Sequence, residues 1–236
     1  MTHQNFQYNE AYYKANRQAE DRVALKFYYR IAASYVKSGK VLDFGCGTGH
    51  FIKRFREAYE TWAYDISYNA LDSTREVAPN ARICNSLPSL LQNRFDLVVS
   101  IHVLEHLTDP IETLAMFSTI LNDAGVLMYV VPDISGIGQR LKKQKWFAYG
   151  DLSHVSLYPA EKWLRWTESA GFKILKSGTD GLWDVPYLPV VPVWIQKLLF
   201  YPLPALQVIT GRLFLPVGWG ESLIVVCRKN CSRSMK

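Results

Sequence analysis

The strongest constraint on the fold is a short apolar run that ends in three closely spaced glycines, Val-Leu-Asp-Phe-Gly-Cys-Gly-Thr-Gly. The run Val41–Phe44 is typical of a buried strand. Gly45, Gly47 and Gly49 permit positive φ, and without a Cβ they let a ligand approach the main chain closely. We expect a helix to begin near His50. The pattern therefore predicts a strand, a glycine loop and a helix in succession.

Further short apolar runs follow, and each is separated from the next by a helical pattern. This alternation predicts an α/β fold in which a mostly parallel sheet is wound with helices. The predicted strands are Val41–Phe44, Thr61–Asp65, Ala81–Cys84, Phe95–Ser100, Val126–Val131, Phe172–Leu175 and Ser222–Cys227.

Capping residues and turn signals set the predicted helix boundaries. Apolar residues recur every four positions before the first strand, which predicts an N-terminal helical lid within residues 1–38. Asp109 is placed as an N-cap before a proline, and we expect that helix to stop at residues 122–125. Pro159 opens a later helix, which ends before Gly171.

The segment 178–220 interrupts the pattern of the remaining domain, residues 39–236, just before the last strand. It is apolar and rich in proline, and from Val185 to Leu206 the only charged residue is Lys197. That length would span a bilayer, but the five prolines within it argue against a continuous helix. We therefore predict a packed cap, a hydrophobic substrate lid or a surface membrane contact.

Composition limits the class of protein more weakly. The 236 residues suffice for one substantial core, and the four cysteines show no paired metal-ligand spacing, so we predict no metal site. The N-terminus lacks the pattern of a cleaved secretory leader, which together with the cysteines favours a reducing cytoplasm. The formal charge of +6 favours an anionic substrate, an acidic membrane surface or nucleic acid, although no nucleic-acid-binding module is recognisable.

A basic cluster near the middle of the chain leaves two interpretations open. It would hold an anionic substrate or a membrane surface, or it would form a solvated helix face. The cluster comprises Arg140, Lys142, Lys143 and Lys145, followed by Trp146 and Phe147.

The glycine spacing bears on the class of cofactor. The first strand of a doubly wound sheet delivers its loop to the crevice at the carboxyl ends of the strands, where we expect an adenosine-bearing cofactor. A dinucleotide site favours G-x-G-x-x-G, but His50 stands where the third glycine would be. Asp65 ends the second strand and is placed to accept the two ribose hydroxyls, as in SAM (S-adenosylmethionine) and NAD sites alike.

Four ordered motifs resemble those of class I SAM-dependent methyltransferases. The glycine stretch resembles their motif I, and Asp65 resembles the acidic residue of their second motif. The segments 95–110 and 121–132 resemble the motifs of their fourth and fifth strands. Val103–Leu107 is similar to the broad group that contains ubiquinone-biosynthesis-like and other small-molecule methyltransferases. The resemblance covers roughly residues 40–177.

This resemblance implies SAM as the cofactor and a Rossmann-like seven-stranded sheet of order 3-2-1-4-5-7-6. Asn85 stands where the family often carries an acidic residue. The cofactor-binding residues that the resemblance and the strand ends indicate are Tyr13, Asp43, Gly45, Cys46, Gly47, Gly49, Asp65, Ile66, Asn85, Ser86, Leu87 and Ser100.

Two histidines are candidate catalytic residues, because a histidine near neutral pKa acts as a general base. They are His102, at a strand end facing the crevice, and His154, on the side where this fold binds acceptors. His106 is expected to have a structural or cofactor-side role. The predicted function is methyl transfer to a small-molecule, glycan or lipid-linked acceptor, with O-methylation favoured. An NAD(P)-dependent oxidoreductase and a non-catalytic SAM-binding protein remain the alternatives.

Overall fold

The computed structural model describes residues 20–55 and 57–230. Tyr13, which was predicted to contact the cofactor, lies outside the described residues, as does half of the predicted lid. Within the lid, helix α1 spans Val23–Tyr35 and buries Phe27, Tyr28 and Ile31 against the sheet.

A seven-stranded sheet of order β3-β2-β1-β4-β5-β7-β6 forms the centre of the molecule, which confirms the predicted topology. The first five strands pair in parallel, and β7 is antiparallel to both β5 and β6. The strands are β1 Gly39–Phe44, β2 Tyr59–Tyr64, β3 Arg82–Cys84, β4 Phe95–Ile101, β5 Leu121–Pro132, β6 Phe172–Thr179 and β7 Ser222–Lys229.

Helices connect the strands and cover both faces of the sheet. The N-cap prediction at Asp109 is confirmed, because its Oδ1 accepts a hydrogen bond from the Glu112 backbone N–H at 3.0 Å. The helices after α1 are α2 Tyr68–Val77, α3 Leu87–Leu91, α4 Pro110–Ile120, α5 Ile137–Lys142, α6 Ala160–Ser169, α7 Val193–Phe200 and α8 Pro202–Thr210. Short 3-10 turns lie at Ile52–Arg54, Leu104–His106, Lys143–Lys145 and Phe147–Tyr149.

The predicted helix near His50 is wrong. Only the 3-10 turn Ile52–Arg54 forms there, and the backbone at Phe55 is already extended. Because β2 begins at Tyr59, few residues are available for helical turns, and the buried rings of Phe51 and Phe55 pack edge to face instead. Tertiary packing, rather than helix propensity, decides this segment.

The predicted start of the fifth strand at Val126 is also wrong, because β5 begins directly at Leu121, where α4 ends. Leu121 pairs with Phe95 at the start of β4, and the Asn122 amide donates to Asp96 Oδ1 at 2.6 Å. These contacts draw the turn-like residues into the sheet. β6 likewise continues four residues beyond its predicted end, to Thr179.

Strand β5 shows how the two layers of the core are assembled. Its side chains alternate between the faces, as expected for a strand buried on both sides. Val126, Met128 and Val130 pack in the cluster that contains α1 residues. Tyr129 packs in the opposite cluster with residues of α4 and α6, and its hydroxyl lies 2.7 Å from Thr167 Oγ1.

Helices α7 and α8 lie in the segment before β7, and each buries one glutamine side chain. Gln207 is fully buried, and its Oε1 accepts the N–H groups of Phe214 and Leu215, each at 2.8 Å. Its Nε2 donates to the Thr179 carbonyl at 2.9 Å. Gln196 is similarly buried and bonded to the loop that precedes α7.

The outer surface of α7 and α8 is correspondingly apolar. Among the described residues, no helix is both long and apolar enough to cross a membrane. We call this surface the outer apolar face, and it comprises Val190, Val193, Trp194, Leu198, Leu199, Leu203, Leu206, Ile209 and Phe214, all exposed.

Candidate cofactor and acceptor site

The glycine loop after β1 adopts the predicted backbone. The φ angles of Gly45, Gly47 and Gly49 are +77°, +52° and +81°. A Cβ at Gly45 would lie 2.3 Å from Val103 Cγ2, and one at Gly49 would lie 2.9 Å from the Thr74 Cα. Both positions therefore require glycine because of the backbone and the surrounding packing together.

Asp65 lies against this loop at the carboxyl end of β2. Its Oδ2 accepts the Gly47 N–H at 2.9 Å, and its Oδ1 accepts the Ser67 N–H at 2.8 Å. The carboxylate is almost buried, at 9% exposure. These bonds fix the acid beside the loop, and its binding of ribose stays a prediction.

A cavity of about 160 Å³ opens above the loop at the carboxyl edge of the sheet. It brings together five of the predicted catalytic and cofactor-binding residues, namely Asp43, Gly45, Cys46, His102 and His154. Its other walls are Arg22, Leu25, Thr48, His50, Phe51, Ile101, His106, Phe147 and Asp151. We call this space the donor cavity.

Asp43 is the most perturbed acid of the donor cavity. It is 2% exposed, and among the described residues its Oδ2 has no hydrogen-bond partner. Burial, with a smaller contribution from the charge of Asp65, raises its pKa to about 8. A buried carboxyl oxygen without a partner is costly, so this acid fits a ligand that brings a donor or a positive charge. SAM carries both an ammonium group and a sulfonium, and the bare glycine backbone fits its close approach.

Three of the histidines that line the donor cavity lie near the buried Glu105. The Glu105 carbonyl accepts the N–H groups of Val155 and Ser156, each at 2.9 Å, which draws the following loop toward β4. His102 Nδ1 lies 3.1 Å from Glu105 Oε1, and the rings of His106 and His154 have centroids 4.6 Å apart.

The protonation of this cluster follows from burial and charge. Burial tends to raise the pKa of Glu105, but the His102 hydrogen bond and the nearby histidines outweigh it, so that the pKa is lowered. Burial lowers the pKa of His106, which favours its neutral form. His154 Nδ1 lies 2.7 Å from the Ala148 carbonyl, so this nitrogen carries the proton and Nε2 is the basic atom of the neutral ring.

The same cluster has the spacing of metal ligands. One ligand atom each from Glu105, His106 and His154 lies within 4.8 Å of the others. Carboxylate oxygens and imidazole nitrogens at this spacing are able to coordinate a divalent cation. The spacing of the cysteines, from which no metal site was predicted, carries no information about this group. The available sequence signal was the adjacent pair Glu105-His106.

The other predicted cofactor residues lie outside the donor cavity walls. Ile66 is 76% exposed at the end of β2, and Asn85 and Leu87 are exposed after β3. Ser86 precedes α3 as its N-cap. Ser100 is fully buried within β4. The cofactor roles of these five residues stay predictions.

A second cavity, of about 490 Å³, adjoins the donor cavity and shares Arg22, His102 and Phe147 with it. We call it the acceptor cavity. Its remaining walls are Val23, Ala24, Phe27, Tyr28, Asp180, Trp183, Asp184, Val208, Glu221 and Ser222. Sequence reasoning missed these residues, because no local motif marks them.

The basic cluster does not form one free surface. Lys142 Nζ forms an ion pair with Asp184, and the Lys142 side chain is only 10% exposed. Its charge is thereby partly neutralised at the edge of the acceptor cavity. Arg140, Lys143 and Lys145 are exposed, which agrees with the interpretation of the cluster as a solvated face.

Two curated relatives match part of the chain. A tRNA U34 carboxymethyltransferase of Hydrogenovibrio crunogenus is 29% identical over 157 residues, covering 59% of this chain and 46% of the relative. A malonyl-[acyl-carrier protein] O-methyltransferase of Anoxybacillus flavithermus is 29% identical over 96 residues, covering 38% and 37%. The chain thus spans less than half the length of either relative. Their names give different acceptors and do not define the acceptor of this chain.

The fold and the family agree. A solved SAM-dependent methyltransferase of Archaeoglobus fulgidus superimposes with a TM-score of 0.64 at 19% identity, covering 94% of this chain and all of the other. A family model described as a methyltransferase domain matches residues 13–177. These findings decide against the nicotinamide-dependent alternative. The chain belongs to the methyltransferase-domain family and has the fold of class I SAM-dependent methyltransferases.

Proposed function

We propose that this protein methylates a small-molecule, glycan or lipid-linked acceptor, with a hydroxyl oxygen as the favoured acceptor atom. The observation that carries the proposal is the donor cavity, where the glycine loop, the orphaned Asp43 oxygen and three histidines meet beside a second cavity. Bound SAM supplies an electrophilic methyl group. The protein contributes alignment and exclusion of water, which are the main requirements of this chemistry.

His102 and His154 are the proposed bases for a hydroxyl acceptor. Both line the donor cavity, and the Nδ1 atom of each faces an oxygen acceptor, of Glu105 and of Ala148 respectively. This arrangement directs the Nδ1 proton to that oxygen and leaves Nε2 to accept a proton. His102 also faces the acceptor cavity, which places it between the two spaces.

The proposed cofactor role of Asp65 predicts a loss of affinity in Asp65→Ala. Removing a charged acceptor costs about 2 kcal/mol, or about 30-fold in the Kd of SAM. Calorimetric titration of the wild-type chain is expected to detect SAM and S-adenosylhomocysteine (SAH), but not NADH. Asp72→Ala, on the exposed face of α2, is the matched control and is expected to bind like wild type. An Asp65→Ala variant with unchanged SAM affinity would contradict the assignment.

Turnover separates this proposal from a SAM-binding sensor or scaffold. Radiolabelled SAM and cell extract are expected to yield a labelled acceptor in the presence of the wild-type chain. SAM binding without label transfer to any extract fraction would support the non-catalytic alternative instead.

We further propose that the protein acts in the cytoplasm at an anionic membrane surface. The outer apolar face includes Trp194, and Trp219 is exposed nearby in sequence; tryptophan favours the membrane interface. Between Val185 and Gly220 the chain has no acidic residue, and its charges there are Lys197 and Arg212. Apolar residues flanked only by positive charge suit the surface of an anionic bilayer.

Vesicle sedimentation tests this membrane contact. The wild-type chain is expected to bind phosphatidylcholine vesicles that contain phosphatidylglycerol more strongly than vesicles of phosphatidylcholine alone. Leu198→Glu is expected to weaken binding about tenfold, since it removes roughly 1.5 kcal/mol of apolar burial. The control Ile111→Glu changes an exposed apolar residue of α4, away from the face. Equal loss in both variants, or none in Leu198→Glu, would refute the contact.

A further inference from the structure

The acceptor cavity contains a buried acid that lacks a full set of partners. Glu221 is 5% exposed, and its Oε1 has no hydrogen-bond partner among the described residues. Its backbone is fixed by an N–H donated to Gly181 and a carbonyl that accepts from Asp133 at 2.9 Å. The position of the acid is therefore determined by the sheet, at the start of β7.

Asp180 is a second acid in the same cavity, at the end of β6. Its Oδ1 accepts the Ser222 N–H at 3.0 Å and the Thr179 hydroxyl at 3.3 Å. Burial, followed by the charge of Asp180, raises the pKa of Glu221 to about 8. Burial also raises the pKa of Asp180. Because the charge of Asp180 raises the pKa of Glu221, ionisation of Glu221 is disfavoured while Asp180 is charged.

Positive charge from the protein compensates this pair only in part, through His102 near Asp180 and Lys142 near Glu221. Lys142 is engaged with Asp184, and its effect on Glu221 is smaller than that of the acids. Arg22 lines the cavity, but it forms no ion pair with either acid among the residues that the structure describes. The titratable and charged groups around the pair are Arg22, Tyr28, His102, Lys142, Asp184 and Tyr187.

Aromatic side chains form much of the remaining wall. Phe27, Tyr28, Phe147 and Trp183 line the cavity. Aromatic faces attract cations, and carboxylates pair with them. Buried acids that form no ion pair among the described residues, and that lie beside aromatic rings, therefore match a ligand cation.

We propose that the second cavity binds the methyl acceptor, and that Asp180 and Glu221 select an acceptor that carries an ammonium group. This inference rests on the proposed function and narrows its substrate class. An ammonium held by carboxylates keeps its proton, so its nitrogen has no lone pair for methyl transfer. The methyl group then goes to another atom, in agreement with a hydroxyl acceptor.

Calorimetry on the full chain saturated with SAH tests the inference with three para-substituted phenols of similar size. Tyramine, 4-ethylphenol and 4-hydroxyphenylacetate present a cation, a neutral group and an anion. Tyramine is expected to bind at least about tenfold more tightly than 4-ethylphenol, because one charge-assisted hydrogen bond contributes a free energy of that size. The anion is expected to bind weakest. Because Glu221 is mostly protonated at pH 7, tyramine is expected to release a proton, seen as a binding enthalpy that differs between phosphate and Tris buffers.

Glu221→Gln provides the matched variant. It is expected to lose the preference for tyramine and the proton release while retaining SAH affinity, whereas Glu161→Gln, an exposed acid of α6, keeps both. Equal binding of tyramine and 4-ethylphenol, or selectivity that survives in Glu221→Gln, overturns the inference. If that variant fails to fold, the wild-type chain still tests the inference, because tyramine binding without proton release would overturn it. A wild-type chain that fails to bind SAH would instead refute the proposed function.

Discussion

Gly45→Ala is expected to abolish detectable SAM binding and to destabilise the fold by about 2–5 kcal/mol. An alanine at φ +77° costs about 1–2 kcal/mol in backbone strain. Its Cβ would also lie 2.3 Å from Val103 Cγ2, which forces the loop or the neighbouring β4 end to move. Calorimetry with SAH and chemical denaturation measure the two effects.

A matched control separates strain from contact. Gly218 has a similar φ of +84°, but a Cβ there meets no atom within 4 Å. Gly218→Ala is therefore expected to show only the backbone cost and unchanged SAH affinity. The double variant Gly45→Ala/Val103→Ala is expected to recover part of the lost stability. Wild-type SAH affinity in Gly45→Ala would show that the loop is not the cofactor cradle.

Gln207→Ala is expected to destabilise the protein by at least about 3 kcal/mol. The substitution leaves the Phe214 and Leu215 N–H groups and the Thr179 carbonyl buried without their partner. Each orphaned group costs about 1–3 kcal/mol, and the lost side chain adds a cavity. The free energy of unfolding, measured in urea, reports the effect.

Gln144→Ala changes an exposed glutamine in the 3-10 turn after α5 and is the control for the loss of a glutamine side chain. It is expected to change stability by less than about 0.5 kcal/mol. A Gln207→Ala variant as stable as Gln144→Ala would mean that water or a rearranged loop satisfies the three backbone groups.

The sheet was predictable because its signals are local. Val41–Phe44 and Val126–Val131 are continuous apolar runs of strand length, and both lie within observed strands. The boundaries were less predictable, since pairing with Phe95 draws Leu121 into β5 against the turn preference of the next residues. The short turn after His50 likewise depends on contacts between distant side chains.

The two cavities also differ in how well their residues could be predicted from local sequence. The donor cavity draws on the glycine loop, a contiguous motif whose spacing is visible in sequence. The acceptor cavity combines Arg22, Asp180 and Glu221, which are separated by up to about two hundred positions and meet only when α1, β6 and β7 pack together. No spacing rule connects such residues, and neither acid belongs to a recognisable motif.

Helix α8 lies between the acceptor cavity and the outer apolar face. Val208 lines the acceptor cavity, whereas the adjacent Ile209 is 70% exposed on the outer apolar face. Arg30 of α1 donates to the carbonyls of both residues, at 3.1 and 2.7 Å. This one helix therefore separates the exposed apolar face from the proposed acceptor site, so a displacement of the helix would change the volume of that cavity.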